Sequence, residues 1–363
     1  METKTNVGKQ KKKIFFFIKN KNNLLSKKLS VTSIKKKKKN LKKDILIGMN
    51  EHGNCYFIHD KKNKKLILNG RYIPTIKEIE KFFNISDIKI IKTGSDFFLI
   101  LLKNNLLYTF GDNSYGQCGK NITQSIELSP IKINLNNKIK DIYCTTYTSY
   151  VLLENGDLYA FGMNVKTHIP QKVLMTSEIK SIFSEGTGDD IFILTNKLTL
   201  YIHGIEYKYP TIFLNNIFCD FKNFWGNKKK GFILYSYNKI QKYFTNNKNK
   251  IELLTIEKYL KIEEKGKEKI KKIINVSQDN SIYYLTSNGE IYKESYIILE
   301  NNKIYTKIYK IDFFFDKIII DMYIGQNGFI LILTKDGIVY KRGNFINDVY
   351  ENLSRAYKIY NQE

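Results

Sequence analysis

The nine residues from Gly111 to Gly119 (GDNSYGQCG) hold three glycines, with Asp112, Asn113, Ser114 and Gln117 among them. Such a loop can cradle a ligand, because glycine lets the backbone approach closely and short polar side chains supply hydrogen bonds. The same residues also suit a purely structural turn, in which Asn113 and Gln117 satisfy buried backbone groups. A second polar, glycine-bearing stretch, Glu185-Gly186-Thr187-Gly188-Asp189-Asp190, reads as a loop between strands, with ion or cofactor binding as the alternative. Other reactive groups are scattered. Cys55, Cys118, Cys144 and Cys219 form no Cys-x-x-Cys pair, and His52, His59, His168 and His203 form no cluster with them. That spacing suggests neither a disulfide framework nor a zinc site, and it fits a reducing compartment. The sequence contains no Gly-x-x-x-x-Gly-Lys-Ser/Thr, His-Glu-x-x-His or Gly-x-Ser-x-Gly motif. The expectation is therefore a binding protein with no catalytic residues, no metal and no cofactor.

The elements that would position these loops recur along the chain. Tyr-x-x-Gly appears at Tyr108…Gly111, Tyr159…Gly162, Tyr201…Gly204 and Tyr340…Gly343. Ile45…Gly48, Tyr292…Ser295 and Gln241…Phe244 are weaker copies, and consecutive copies lie 40 to 63 residues apart. From the second copy onward each is preceded by an apolar run, such as Phe98–Leu102 or Phe329–Leu333, and by a turn. Asn155-Gly156, Asn288-Gly289 and Asp336-Gly337 are the residues of a type I′ hairpin turn. A strand with Ile-x-x-Ile, or a pattern near it, comes before each hairpin: Ile88/Ile91, Ile139/Ile142, Ile179/Ile182, Ile217/Phe221, Ile270/Ile273/Ile274 and Ile318/Ile319/Ile320. Pro74, Pro130, Pro170 and Pro210 each fall between an anchor and the next Ile-rich strand, where an outer strand tolerates a residue with no N–H.

Four strands per unit, repeated at this period, predict a single all-β propeller over residues 44–363. Seven blades are favoured and six are the alternative. In the seven-blade reading, the first anchor near Ile45–Gly48 closes the ring with a strand from 345–360. Two insertions interrupt the pattern. Thr75 with Glu78 forms a capping-box signature for a helix within 70–87, and the charged stretch 245–269 reads as a helix over Ile251–Ile262. A monomer is expected.

Residues 1–43 carry sixteen of the chain's 57 lysines against one acid, Glu2. This basic arm is expected to be disordered or a targeting segment, and it suits an anionic partner such as nucleic acid or a nucleosome. Lys35, Lys36, Lys37, Lys38 and Lys39 resemble a nuclear import patch. The acid-poor composition of the arm also resembles an organellar transit segment, so nuclear, cytoplasmic and organellar locations stay open. No apolar run is long enough to span a bilayer.

The loop Gly111–Gly119 resembles the Gly-x-Asn-x-x-Gly-Gln-Leu-Gly signature of the regulator of chromosome condensation repeat family, with Cys118 in place of Leu. Gly48-Met49-Asn50-Glu51-His52-Gly53-Asn54-Cys55 is a poorer copy with Asn54 for Gln, and Gly162-Met163-Asn164 keeps the start of the motif. Gly204 and Gly343 match the anchor glycine alone. The resemblance spans about residues 45–345. It implies that Gly48, Asn50, Gly53, Gly111, Asn113, Gly116, Gln117, Gly119, Gly162, Asn164, Gly204 and Gly343 build junctions between blades. It also implies regulation of a Ran-like small GTPase, nucleotide exchange included, with a basic tail on DNA. Other members of the family are organellar regulators, ubiquitin-ligase modules or adaptors.

Overall fold

Each apolar run picked out in the sequence becomes the second strand of an antiparallel sheet. A computed structural model describes residues 44–121, 125–184, 188–204, 207–214, 221–226, 230–235, 240–245, 251–255, 270–275, 281–298, 304–311, 317–325, 329–342 and 357–360. The first sheet has three strands, β1 (Ile45–Met49), β2 (Tyr56–Asp60) and β3 (Lys65–Asn69). Six four-stranded sheets follow, each in simple meander order. They are β4 (Ile88–Thr93), β5 (Phe97–Leu102), β6 (Leu107–Asp112) and β7 (Ile126–Ile133); then β8 (Ile139–Cys144), β9 (Thr148–Leu153), β10 (Leu158–Gly162) and β11 (Thr167–Val173). Next come β12 (Ile179–Phe183), β13 (Ile191–Thr195), β14 (Leu200–Gly204) and β15 (Tyr207–Leu214), and β16 (Phe221–Gly226), β17 (Lys230–Tyr235), β18 (Ile240–Thr245) and β19 (Ile251–Thr255). The last two are β20 (Ile270–Asn275), β21 (Ile282–Thr286), β22 (Ile291–Ile298) and β23 (Ile304–Ile311), and β24 (Ile319–Ile324), β25 (Ile330–Thr334), β26 (Val339–Arg342) and β27 (Tyr357–Tyr360).

First strands line the axis of the ring. β4 lies beside β8, β16 lies between β12 and β20, and β1 lies between β24 and β4. The ring therefore closes by packing the three-stranded sheet against the last blade. The composite blade expected from the sequence does not form: β27 pairs with β26 as the outer strand of its own sheet, and β1 pairs only with β2 within its sheet.

Second strands are buried on both faces, which is why they read as unbroken apolar runs and not as alternation. Every residue of β5 is buried. Phe98, Ile100 and Leu102 pack toward the three-stranded sheet, with Phe57, Leu66, Ile79 and Phe83. Phe97, Leu99 and Leu101 pack toward the next blade, with Ile139, Ile142, Val151 and Phe161. Each such side chain contributes roughly 2 kcal/mol through burial, so the core is the set of interfaces between sheets.

The Ile-x-x-Ile spacing also has a structural cause. A strand repeats every two residues, so a spacing of three needs one extra residue. All six four-stranded sheets carry a β-bulge at the start of the first strand, between Ile88/Ile90, Ile139/Asp141, Ile179/Ser181, Phe221/Asn223, Ile270/Lys272 and Ile319/Asp321. The bulge returns the residue three positions on to the buried face, as with Ile88 and Ile91 or Ile139 and Ile142. In the fourth blade the strand begins at Phe221; Ile217 lies outside the described residues. In the last blade the buried pair is Ile319 and Met322, not Ile318 to Ile320.

Pro130, Pro170 and Pro210 sit in the outer strands β7, β11 and β15. Pro74 instead precedes α1 (Ile76–Glu80), where Thr75 and Glu78 form the expected capping box. The expected helix over 251–262 is corrected at its start: residues 251–255 form the outer strand β19, because the exposed edge of β18 offers them a ladder. Residues 256–269 lie outside the described residues.

The hairpins between second and third strands are not type I′. Only the glycine of each Asn-Gly or Asp-Gly pair has positive φ, at +88° for Gly156, +85° for Gly289 and +84° for Gly337. The Gly156 N–H donates to the Leu153 carbonyl at 3.1 Å, and the Leu153 N–H donates to the Asp157 carbonyl at 2.8 Å. This is a three-residue turn ending in a left-handed residue. Asn105 and Leu198 hold the same position at φ 71° and 55°.

Candidate functional site

The Gly111–Gly119 loop follows β6 and folds around Asn113. The Asn113 Oδ1 accepts from the Cys118 N–H at 2.9 Å, and its Nδ2 donates to the Lys120 carbonyl at 3.3 Å. The Gly116 N–H donates to the Asn113 carbonyl at 2.9 Å. Gln117 is fully buried; its Oε1 accepts from the Tyr115 N–H at 2.9 Å and its Nε2 donates to Asp112 Oδ2 at 3.0 Å. The Ser149 hydroxyl, on β9 of the next blade, donates to the Gln117 carbonyl at 2.7 Å. Gly119 packs against Ile133 and Phe161.

Residues 50–55 repeat this geometry. The Asn50 Oδ1 accepts from the N–H groups of Gly53 at 2.9 Å and Cys55 at 3.1 Å, and its Nδ2 donates to Asn54 Oδ1 at 2.7 Å. The same Asn-to-Cys clip, five residues apart, therefore closes both loops. Asn164 is used differently. Its Nδ2 donates to the Tyr150 hydroxyl at 3.0 Å and to the Asp189 carbonyl at 2.6 Å, and the Tyr150 hydroxyl meets His203 Nδ1 at 2.8 Å. This bridge ties the β8–β11 blade to the β12–β15 blade. Gly48 packs under the Phe57 ring, and Gly204 packs against Asp190. Gly343 and Lys35 to Lys39 lie outside the described residues.

Within the Glu185–Asp190 stretch the described part is also a junction. The Gly188 carbonyl accepts from the Thr146 N–H at 3.2 Å, and the Asp189 carbonyl holds Asn164.

A cavity of about 380 Å³ lies on the axis, lined by residues of β1, β4, β8, β20 and β24, by Phe57 of β2 and by the loops after β1, β4, β8 and β12. Its polar lining includes Thr93, Thr145, Lys272 and Asp321. The Lys272 ammonium is 3.2 Å from Asp321 and 3.3 Å from the centre of the Tyr323 ring. The Thr145 hydroxyl is buried with no hydrogen-bond partner. Cys144 also lines the cavity, and burial pushes its thiol up; burial likewise pushes the Cys55 thiol up to about 12. Neither is poised as a thiolate nucleophile. Among the described residues no group of three His, Cys, Asp or Glu side chains could hold a metal ion, and no helix is long and apolar enough to cross a membrane. Sequence reading missed this cavity because its lining comes from first strands far apart in the chain. The only sequence signal for those strands was the Ile-x-x-Ile spacing.

Residues 88–117 and 104–152, which span the β4–β7 blade and the start of the next, match the Regulator of chromosome condensation (RCC1) repeat. Two solved structures of yeast RCC1 (Prp20) superpose on the ring with a TM-score of 0.56. One, bound to Kap60, is 16% identical over 83% of this chain and 78% of that one. The other, from Saccharomyces cerevisiae and concerned with binding to Gsp1p and histones, is 15% identical over 83% and 80%. This chain is a divergent RCC1-like β-propeller. Human WBSCR16 shares the fold at a TM-score of 0.52, 13% identical over 77% of this chain and 81% of that one. A human protein described as probable E3 ubiquitin-protein ligase HERC4 is 33% identical over 98 residues, which is 26% of the RCC1-like chain. The match spans only 9% of that ligase's length.

Proposed function

We propose that this RCC1-like propeller is a non-catalytic, partner-binding regulator of a Ran-like small GTPase, acting by promoting nucleotide release. The observation that carries the reading is the conjunction of the repeat match with a closed ring like that of Prp20p, a protein described as binding Gsp1p. The argument from ring to function is one of fold analogy. It is supported by the junction loops, whose asparagine and glutamine side chains are engaged inside the protein, which leaves recognition to the outer surfaces of the ring. Purified full-length protein is expected to accelerate release of labelled GDP from a Ran-like GTPase. No acceleration across a panel of such GTPases overturns the proposal.

The sixteen lysines of residues 1–43 support a second element, an anchor on nucleic acid in the nucleus. Neutralised phosphates release counterions, so binding to duplex DNA should weaken steeply with salt. Deleting residues 1–43 should lower the affinity and flatten the salt slope. An unchanged slope removes the arm from the contact.

A further inference from the structure

The bulge that opens the first strand of each four-stranded sheet places one extra residue at the same point of those six sheets. That residue is Lys89, Lys140, Lys180, Lys222, Lys271 and Ile320 in chain order. Lysine thus occupies five of six equivalent positions. Lys89, Lys140, Lys180 and Lys271 are exposed, whereas the residue before each is isoleucine and the residue three positions on is buried in at least three of the blades. A bulge re-aims a side chain out of the ladder. Because all first strands of the ring run the same way, these bulges encircle one mouth of the central channel. The Lys271 ammonium reaches the carbonyl of Ile320, the bulge residue of the next blade, which places it on this rim. Lys89 also lines the axial cavity, whose apolar walls include Leu46, Ile90, Ile91 and Ile273.

We propose that this lysine ring is the docking site for an acidic peptide segment of a partner protein, with an apolar side chain of that segment seated in the cavity behind it. Converging ammonium groups raise the local concentration of an anion and hold it as point charges. The cavity favours a peptide over nucleic acid, because an apolar anchor uses both the cations and the apolar walls. The rim has little to hold a nucleic acid: the residues flanking the bulge lysines are isoleucine, aspartate, serine, asparagine and lysine, with a single aromatic, Phe221, and no arginine to grip a phosphate with two bonds.

The test uses the full-length protein and a fluorescein-labelled peptide of glutamates with two central leucines, followed by anisotropy. Replacing Lys89, Lys140, Lys180 and Lys271 together by glutamine should weaken binding at least about tenfold and flatten its salt dependence. A control protein with Lys77, Lys81, Lys132 and Lys166 replaced loses the same charge from exposed positions on α1, the outer strand β7 and the β10–β11 turn, and should bind like the parent. Replacing the peptide's leucines by serine should weaken binding to the parent protein but not to the ring variant. Equal losses in the two lysine variants would reduce the effect to net charge and overturn the proposal. So would an oligonucleotide of equal charge that binds more tightly with the same dependence on the ring. Unchanged circular dichroism spectra keep the comparison free of folding effects.

Discussion

Gly111→Ala lowers the stability of the propeller by about 4 kcal/mol, against about 1 kcal/mol for Gly156→Ala. Both glycines have positive φ, +113° and +88°. A Cβ on Gly156 would meet nothing within 4 Å, so that substitution carries only the conformational cost. A Cβ on Gly111 would lie 2.3 Å from the Asp96 carbonyl oxygen and 2.7 Å from the Phe97 Cα. Both are backbone atoms that cannot swing aside, and the Asp96 carbonyl is held by the Asp112 N–H at 2.8 Å. Gly162 repeats the arrangement one blade on, 2.4 Å from the Tyr147 carbonyl oxygen. The reason for glycine is visible in the registers. Pairing of third with outer strand shifts between Thr109 and Gly111 and between Ala160 and Gly162. Where the anchor has become Ser295 or Phe244, the ladder runs straight from Ile291↔Ile311 to Ile298↔Ile304 and from Gln241↔Thr255 to Thr245↔Ile251. Urea midpoints of the two variants check the prediction, and equal losses would show that the contact at Gly111 is immaterial.

The propeller also loses about 6 kcal/mol of stability as pH falls from 6.5 to 4, through two histidines. His59 and His203 are each 1% exposed. Burial lowers the pKa of each to about 4, with Lys61 adding to the effect at His59. Both nitrogens of His59 lack a partner, while His203 meets the Tyr150 hydroxyl. Between the two pKa values the unfolded chain takes up protons that the folded chain refuses. Stability is therefore complete above pH 6.5 and declines steadily below it, by about 3 kcal/mol for each histidine. His59→Leu should keep or raise stability at pH 7, since it removes two unsatisfied nitrogens, and should halve the decline. Urea unfolding at pH 7, 5.5 and 4.5 measures this. A flat profile in the parent protein, or an undiminished decline in His59→Leu, would refute the assignment.

Much of the fold was legible because its signals are local. Apolar runs such as Phe98–Leu102 marked strands buried on both faces, Thr75 and Glu78 marked a helix start, and three of four prolines marked outer strands. Asn113 and Gln117 were legible as loop residues because glycines flank them. Errors arose where one residue more or less changes the outcome. The Asn155-Gly156 pair suits a two-residue turn, yet the ladder closes at Leu153 and Asp157, so only the glycine needs positive φ. Residues 251–255 (IELLT) suit a helix as well as a strand, and the free edge of β18 made them a strand.

The amino-acid sequence by itself determined the repeat, the strand type of nearly every segment and the glycine loops, because turn chemistry and apolar periodicity act between near neighbours. The tertiary structure alone decided that β27 completes its own blade, leaving the first sheet with three strands. It also decided that the first strands of six sheets open on a bulge, and that the bulge residue is lysine in five of them. Both depend on which distant strands pack together, and ring closure sets that choice through the summed burial of many interfaces.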